Sequence, residues 1–342
     1  MVQPKKIRVL IVDDSLVFRE VLSRGLAADP RIEVVAKASN PFEARDKILE
    51  TNPDIITCDI EMPRMNGIEF IRRLLSQYPI PVIVVSSVSD AVFDAMNAGA
   101  VEFVSKPDDR SSKGVETLVS DLIAKIVIAS KVQMRRRPSV QVEERVAQAQ
   151  FDPSRVIGIG ASTGGTEAIY RVLRALPANI PGIVIVQHIP PVFSTMFAQR
   201  MNTQTALNVK EAATGDFLEP GTVLIAPGDK HMQLRKVGDR YKVEVSEGEK
   251  VSGHCPSVDV LFESMAKACG DRAVGVLLTG MGRDGARGLL SMRRSGAYTL
   301  GQDEKSSVVY GMPKAAYDMG AVAKQLSLDA IPGELVQYLS KR

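Results

Sequence analysis

The sequence predicts an α/β protein built as two doubly wound parallel-sheet domains. Short β-branched runs alternate with amphipathic helical stretches in both halves, the pattern of a parallel sheet covered on both faces. The 342 residues, at roughly 150 per domain, make about two domains. A polar, partly basic stretch over residues 108–152 interrupts the alternation and separates the halves.

In the first half the expected strands are residues 8–12, 33–38, 55–58, 81–86 and 102–105, with helices over 15–28, 41–52, 67–78 and 91–98. Five such units fit a flavodoxin-like sheet, whose site lies at the carboxyl ends of its strands. One more helix is expected over 115–128. A basic run follows (Lys131, Arg135, Arg136, Arg137), then Pro138 and polar residues that include Glu143 and Glu144. Its shortness, the lack of interleaved aromatics and the acidic pair make it a solvated linker rather than a nucleic-acid patch. A second, Rossmann-like sheet opens at 156–160, with further strands expected at 182–186, 222–226, 241–245, 273–278 and 297–300. The expected boundaries are a first domain over 1–125, a linker over 126–151 and a second domain over 152–342.

Composition narrows the function. With 43 Lys+Arg against 40 Asp+Glu, the net charge of +3 is too small for a nucleic-acid coat. Aromatics at 5% and no Trp argue against a single-strand stacking platform. At 45% hydrophobic residues both domains can bury full cores without staples. The three cysteines (Cys58, Cys255, Cys269) form no CxxC or metal spacing, which suits a reducing cytoplasm. No apolar stretch reaches the roughly 18 residues of a spanning helix, so no membrane insertion is expected.

Two clusters carry chemistry. Asp13 and Asp14 follow the first strand and Asp59 follows the third, so three carboxylates should converge at the strand ends. Close carboxylates repel and call for a cation. An all-oxygen set suits Mg²⁺, and a carboxylate held beside it can act as nucleophile toward a phosphoryl group. Ser86 adds a hydroxyl and Lys106 an ammonium at two further strand ends, with Pro107 a candidate cis bond that aims the lysine. Taken alone, Asp13-Asp14 reads as a turn or helix cap and Lys106 as a surface lysine; the order of all five groups along the strand ends weakens that reading. Here the sequence resembles response-regulator receiver domains over about residues 6–125. The motifs are Asp13-Asp14-Ser15, Asp59-Ile-Glu-Met-Pro, the strand ending at Ser86, Ala98-Gly99-Ala100, Phe103 and Lys106-Pro107. The resemblance implies that Asp59 accepts phosphate from a histidine kinase. It also implies that Asp13, Asp14, Asp59 and the Glu61 carbonyl hold Mg²⁺, and that Ser86, Phe103 and Lys106 form the switch.

The second cluster centres on Gly160-Ala161-Ser162-Thr163-Gly164, which has G-x-S-x-G spacing between a strand and a helix expected over 167–175. Dinucleotide binding competes, because Gly158-x-Gly160 opens a βαβ unit. However, Thr163 stands where a third glycine is needed, and Gln187-His188 stands where an acid should end the next strand. A purely structural glycine turn weighs evenly against the nucleophile on this motif alone. Of three histidines, His188 ends the adjacent strand and is best placed as base; His231 lies in a turn-like stretch and His254 would flank the cleft. Asp284, in the loop after strand 273–278, is the candidate orienting acid, against a simpler role capping the helix that begins near Ala286.

This half resembles the catalytic domain of the chemotaxis protein-glutamate methylesterases, the CheB family. The motifs are Gly-Ala-Ser162-Thr-Gly-Gly, Gln187-His188-Ile-Pro, Ala226-Pro227-Gly228, Pro256-Ser257-Val258-Asp259, Thr279-Gly-Met-Gly-Arg-Asp284-Gly-Ala and Gln302-Asp303-Glu304 followed by Gly311-Met312-Pro313. Cys255 stands where an arginine is expected in many members. The resemblance implies hydrolysis of glutamate γ-methyl esters on chemoreceptors by Ser162, His188 and Asp284, with the Thr163 and Met281 N–H groups on the oxyanion and no cofactor for the esterase step. It also implies deamidation of receptor glutamines. A receiver docked over the cleft would restrain this activity, so truncation to residues from Asp152 onward would raise it. The alternatives are a receiver-controlled esterase or amidase of another chemosensory pathway, a DNA-binding regulator, which would need a helix-turn-helix after the linker, and a nucleotide-binding module.

Overall fold

The structure, a computed structural model, describes residues 5–62, 66–87, 91–107, 112–132 and 150–340. Pro63 and the expected basic run beyond Val132 lie outside them. The chain divides into two compact units, 1–137 and 138–342.

In the first unit β1 (Ile7–Val12), α1 (Leu16–Ala27), β2 (Ile32–Ala38), α2 (Pro41–Thr51), β3 (Ile55–Cys58), α3 (Gly67–Gln77), β4 (Val82–Ser86), α4 (Ala91–Ala98), β5 (Glu102–Ser105) and α5 (Ser112–Ala129) alternate. The parallel sheet has the order β2-β1-β3-β4-β5. β3 and β4 are buried along their whole length, as apolar strands covered on both faces should be. Helix starts follow side-chain caps. The Ser15 hydroxyl accepts the Phe18 N–H, and the Asn40 side chain accepts those of Phe42 and Glu43. α5 continues past the expected domain end at residue 125, because Ile126 and Ala129 are fully buried members of its apolar face.

The second unit holds β6 (Val156–Ala161), α6 (Gly165–Arg174), β7 (Ile183–Gln187), α7 (Pro191–Gln204), β8 (Asn208–Glu211), β9 (Phe217–Leu218), β10 (Thr222–Ile225), β11 (His231–Val237), β12 (Arg240–Ser246), α8 (Val258–Cys269), β13 (Ala273–Leu277), α9 (Ala286–Arg294), β14 (Tyr298–Gln302), α10 (Met312–Asp318), β15 (Lys324–Leu326) and α11 (Ile331–Leu339). Seven strands form a parallel sheet in the order β15-β14-β13-β6-β7-β10-β8. The chain leaves β6 toward β7 on one side and later returns to β13 on the other. The reversal therefore falls at β6, where a doubly wound sheet opens a crevice beyond its carboxyl ends.

The expected strand at 241–245 is not part of that sheet. It belongs to β12, which pairs antiparallel with β11 and β9 in a separate three-stranded sheet. Its buried positions, Tyr241 and Val243, alternate with half-exposed Lys242 and Glu244, the mark of a strand covered on one face only. The glycines that suggested dinucleotide binding serve packing instead. A Cβ on Gly160 would stand 2.2 Å from Val258 Cγ1, and one on Gly158 would stand 2.4 Å from Met265 Sδ, so both let α8 lie directly on β6. Among the described residues no helix is long and apolar enough to cross a membrane.

Candidate active site

Ser162 leaves the end of β6 and His188 the end of β7, while Asp284 sits in the loop between β13 and α9. β6 and β7 pair so that Ala161 lies opposite Gln187, and the His188 N–H donates to the Ala161 carbonyl at 3.2 Å. On the other side the Ser162 N–H donates to the Thr279 carbonyl at 2.9 Å, which ties the serine to the end of β13. The turn is less strained than a nucleophile elbow leads one to expect. Positive φ falls on Gly164 (+75°), the residue capping α6, and not on Ser162.

His188 Nε2 lies 2.8 Å from Asp284 Oδ2. That contact makes Nε2 the protonated nitrogen and leaves Nδ1 with its lone pair. Nδ1 is buried and has no hydrogen-bond partner among the described residues. Asp284 is fully buried, yet it does not cap α9, whose capping Gly285 has no side-chain bond. It sits instead at the start of α8. Its carboxylate accepts the Ser257 hydroxyl at 2.8 Å, the Val258 N–H at 2.8 Å and the Asp259 N–H at 3.1 Å, besides His188. Burial alone would raise its pKa, but the bonds from His188, Val258 and Ser257 outweigh it and hold the carboxyl below its usual range.

The other two histidines have distinct places. His231 starts β11; its Nε2 reaches the Glu249 carbonyl at 2.9 Å and its Nδ1 accepts the Ser257 N–H at 3.3 Å. It therefore braces the segment that binds Asp284. His254 lies face to face with His188, with ring centroids 3.7 Å apart and planes 10° apart. Residues Val251 and His254 exchange backbone hydrogen bonds of 3.0 Å around Ser252 and Gly253, which both have positive φ. The Ser252 hydroxyl anchors this turn to Asp259 at 3.0 Å. Thr163, next in the chain to the serine, is buried, and Met281, on the β13–α9 loop, is partly exposed.

In the first unit the carboxylate oxygens of Asp13, Asp14 and Asp59 lie within 4.8 Å of one another. Asp13 and Asp59 are almost fully buried, and Asp14 is exposed. The Lys106 ammonium bridges Asp13 at 2.7 Å and Asp59 at 2.6 Å, and lies over the Phe18 ring at 4.5 Å. Burial raises the Asp13 pKa against the pull of Lys106. Lys106 itself is raised, because its bonds to Asp13 and Asp59 outweigh its burial. One ammonium for two buried carboxylates, with a third beside them, is a donor set that fits a small divalent cation. The Glu61 N–H donates to Asp59 at 3.1 Å. The Ser86 hydroxyl is buried without a partner among the described residues, and Phe103 is buried edge-on to Phe93. The Lys106 N–H donates to the Ser86 carbonyl at 2.8 Å, so the main chain aims the lysine. The expected cis bond at Pro107 is absent; the described residues have one cis peptide, Cys255-Pro256.

Comparison with known proteins covers both units. The family model of the CheB methylesterase matches residues 157–335, and that of the response regulator receiver domain matches residues 9–113. A protein-glutamate methylesterase/protein-glutamine glutaminase of Syntrophomonas wolfei is 53% identical over 337 residues, covering 98% of this chain and 99% of its own. One from Syntrophotalea carbinolica is 49% identical over 352 residues, covering 99% of each. The crystal structure of the Thermotoga maritima CheB methylesterase catalytic domain matches 54% of this chain and 98% of its own, with 34% identity and a TM-score of 0.53.

Proposed function

The chain belongs to the CheB family of methylesterases that carry a receiver domain, and from that premise we propose that Ser162, His188 and Asp284 perform its ester hydrolysis and that Asp59 controls it. The protein is a protein-glutamate methylesterase and protein-glutamine glutaminase, a hydrolase of esters and amides that serves chemotaxis. Its substrates are glutamate γ-methyl esters and selected glutamines on the cytoplasmic helices of chemoreceptors, so it acts in the cytoplasm.

The observation that carries the assignment is the His188–Asp284 contact with Nδ1 left unpartnered at the strand end beside Ser162. The Ser162 oxygen attacks the ester carbonyl carbon while His188 Nδ1 takes the hydroxyl proton. Asp284 holds the ring and stabilises the imidazolium. The Thr163 and Met281 N–H groups receive the oxyanion. Collapse expels methanol, which takes the proton from His188. Water then attacks the acyl-enzyme, His188 accepts its proton, and Ser162 leaves as the hydroxyl with glutamate as product. Ammonia replaces methanol as leaving group when the substrate is glutamine.

In the receiver unit Asp59 is the acceptor of a phosphoryl group from the histidine kinase of the pathway. Asp13, Asp14, Asp59 and the Glu61 carbonyl would hold Mg²⁺, which offsets phosphoryl charge when bound. Lys106 pairs with both Asp13 and Asp59 and would take a phosphoryl oxygen, while Ser86 and Phe103 would respond to it. The test is methanol release from methylated receptor membranes. Ser162→Ala should abolish it, and activity retained in that variant overturns the serine mechanism.

A further inference from the structure

On the reading that Ser162 is the nucleophile and the Thr163 N–H an oxyanion donor, we propose that Gln187 is a positioning residue that sets both the nucleophile turn and the base through its side-chain amide.

Gln187 closes β7 with only 3% of its surface exposed. Its Nε2 lies 3.0 Å from the main-chain carbonyl of Ser162 and 3.1 Å from that of His188. One amide therefore spends its two hydrogens on the two residues between which the proton must pass. The chemistry fixes which atom is nitrogen, since the reverse placement would press Oε1 against two carbonyl oxygens. Oε1 faces Gly165, where a Cβ would stand 2.1 Å from it, so the second glycine of the Gly164-Gly165 pair makes room for the amide.

The contact to Ser162 bears on the oxyanion. The Ser162–Thr163 peptide is trans, so its C=O and N–H point in opposite directions. The Ser162 carbonyl is held by Gln187 and by the Gly165 N–H at 2.6 Å. Fixing the carbonyl fixes the Thr163 N–H on the opposite side. Two donors on that carbonyl also polarise the peptide and strengthen its N–H as a donor. The contact to the His188 carbonyl acts on the base. The His188 N–H is already bound to Ala161, so the peptides on both sides of His188 are fixed, and with them the direction in which the imidazole leaves the main chain. A buried amide is a costly way to fill space at the end of an apolar strand, and methionine would occupy a similar volume without polar atoms. Both hydrogens are instead committed to the catalytic main chain.

Full-length Gln187→Met and Gln187→Glu, neither of which keeps the amide donors, test this beside wild type and Ser162→Ala. The readouts are kcat and KM for methanol release from methylated receptor membranes, the Kd of benzeneboronic acid (which forms a tetrahedral adduct on an active serine) and the thermal midpoint. The expected result is a kcat about 10²-fold lower, the order of one lost oxyanion donor, with KM within about threefold and the boronate Kd weakened in step with kcat. A folded variant whose kcat stays within about threefold of wild type overturns the assignment, as does a kcat loss with no change in boronate affinity. If Gln187→Met does not fold, the near-isosteric Gln187→Glu decides. Activity surviving in Ser162→Ala would overturn the serine reading itself. Loss there, with near-wild-type kcat in a Gln187 variant, overturns only the role of Gln187.

Discussion

The rings of His188 and His254 lie parallel with centroids 3.7 Å apart, so the proposed base is backed by a second imidazole. Two imidazolium ions cannot share that spacing, and burial keeps His254 neutral. Burial first, then His188 and Lys250, push its pKa down to about 4 against the opposing pull of Asp284. The unfolded chain takes this proton near pH 6.5, whereas the folded chain takes it only near 4, so the unfolded state binds more protons in between. Stability from this group is complete above pH 6.5 and is lost progressively as pH falls toward 4. His254→Phe should keep the stack and flatten that part of the pH–stability curve. His254→Ala should lower kcat about two- to tenfold, equivalent to the ~0.5–1.5 kcal/mol of a ring stack. Urea unfolding between pH 4 and 7, with methanol-release kinetics, checks both; an unchanged acid slope in His254→Phe would contradict the assignment.

Ser257 joins the proposed catalytic acid to the start of a helix. Its hydroxyl donates to Asp284 and also accepts the Val260 N–H as the cap of α8. Ser257→Ala should cost about 1–2 kcal/mol of stability through the lost cap. It should also lower kcat, because Asp284 loses one of its four donors. Denaturant unfolding and kinetics on the same preparation separate the effects. A variant that loses stability and keeps full kcat would show that three donors suffice.

Gly160 offers a steric probe of the same contact. A Cβ there meets Val258 Cγ1 at 2.2 Å, and Val258 supplies one of the N–H groups that hold Asp284. Gly160→Ala should destabilise the second unit by about 1–3 kcal/mol through overpacking and reduce activity by displacing the start of α8. Both results follow from thermal unfolding and the esterase assay, and a fully active variant would mean that α8 yields without moving Asp284.

The receiver pocket should respond to Mg²⁺ in a pH-dependent way. Burial raises the Asp13 pKa above 3.8, so the folded unit holds that proton more tightly than the unfolded chain. The corresponding stability is present at low pH and lost as pH rises through the Asp13 titration, which leaves the pocket short of positive charge at neutrality. Mg²⁺ should therefore stabilise the unit more at neutral pH than below the Asp13 titration, by about 2.7 kcal/mol at neutral pH and a hundred times its Kd, read as a rise in the thermal midpoint. Asp13→Asn should abolish that response, and no Mg²⁺ effect at either pH would reject the site.

Asp59→Asn should leave basal methanol release near wild type and remove its stimulation by a small acyl phosphate. Stimulation that survives the substitution would move the phosphorylation site elsewhere.

The sheet frameworks and the strand-end groups were readable from residue order, because a doubly wound topology converts strand ends into neighbours. Asp13, Asp59 and Lys106 meet on that basis, as do His188 and Asp284. What escaped depends on packing between distant segments. That Asp284 holds the first N–H groups of α8 instead of capping α9 follows from α8 lying on β6, which Gly158 and Gly160 permit but do not announce. The stack of His254 needs a tight turn at Ser252-Gly253 and its anchor on Asp259. The misplaced strand at 241–245 did carry a signal: Tyr241, Val243 and Val245 alternate with Lys242 and Glu244, unlike the unbroken Val-Ile-Gly-Ile-Gly of β6.

Because Asp284 is also the anchor of α8, its retention says little about whether a descendant of this gene still hydrolyses anything. A copy released from selection for esterase activity would remain under pressure to keep the aspartate, since losing it would unmoor a helix and leave Ser257 and two backbone N–H groups without their acceptor. Ser162 bears no such load, since the described hydrogen bonds engage it through its main chain. The hydroxyl can decay silently. Were such a copy to lose the activity, the serine would be the informative position and the acid the misleading one.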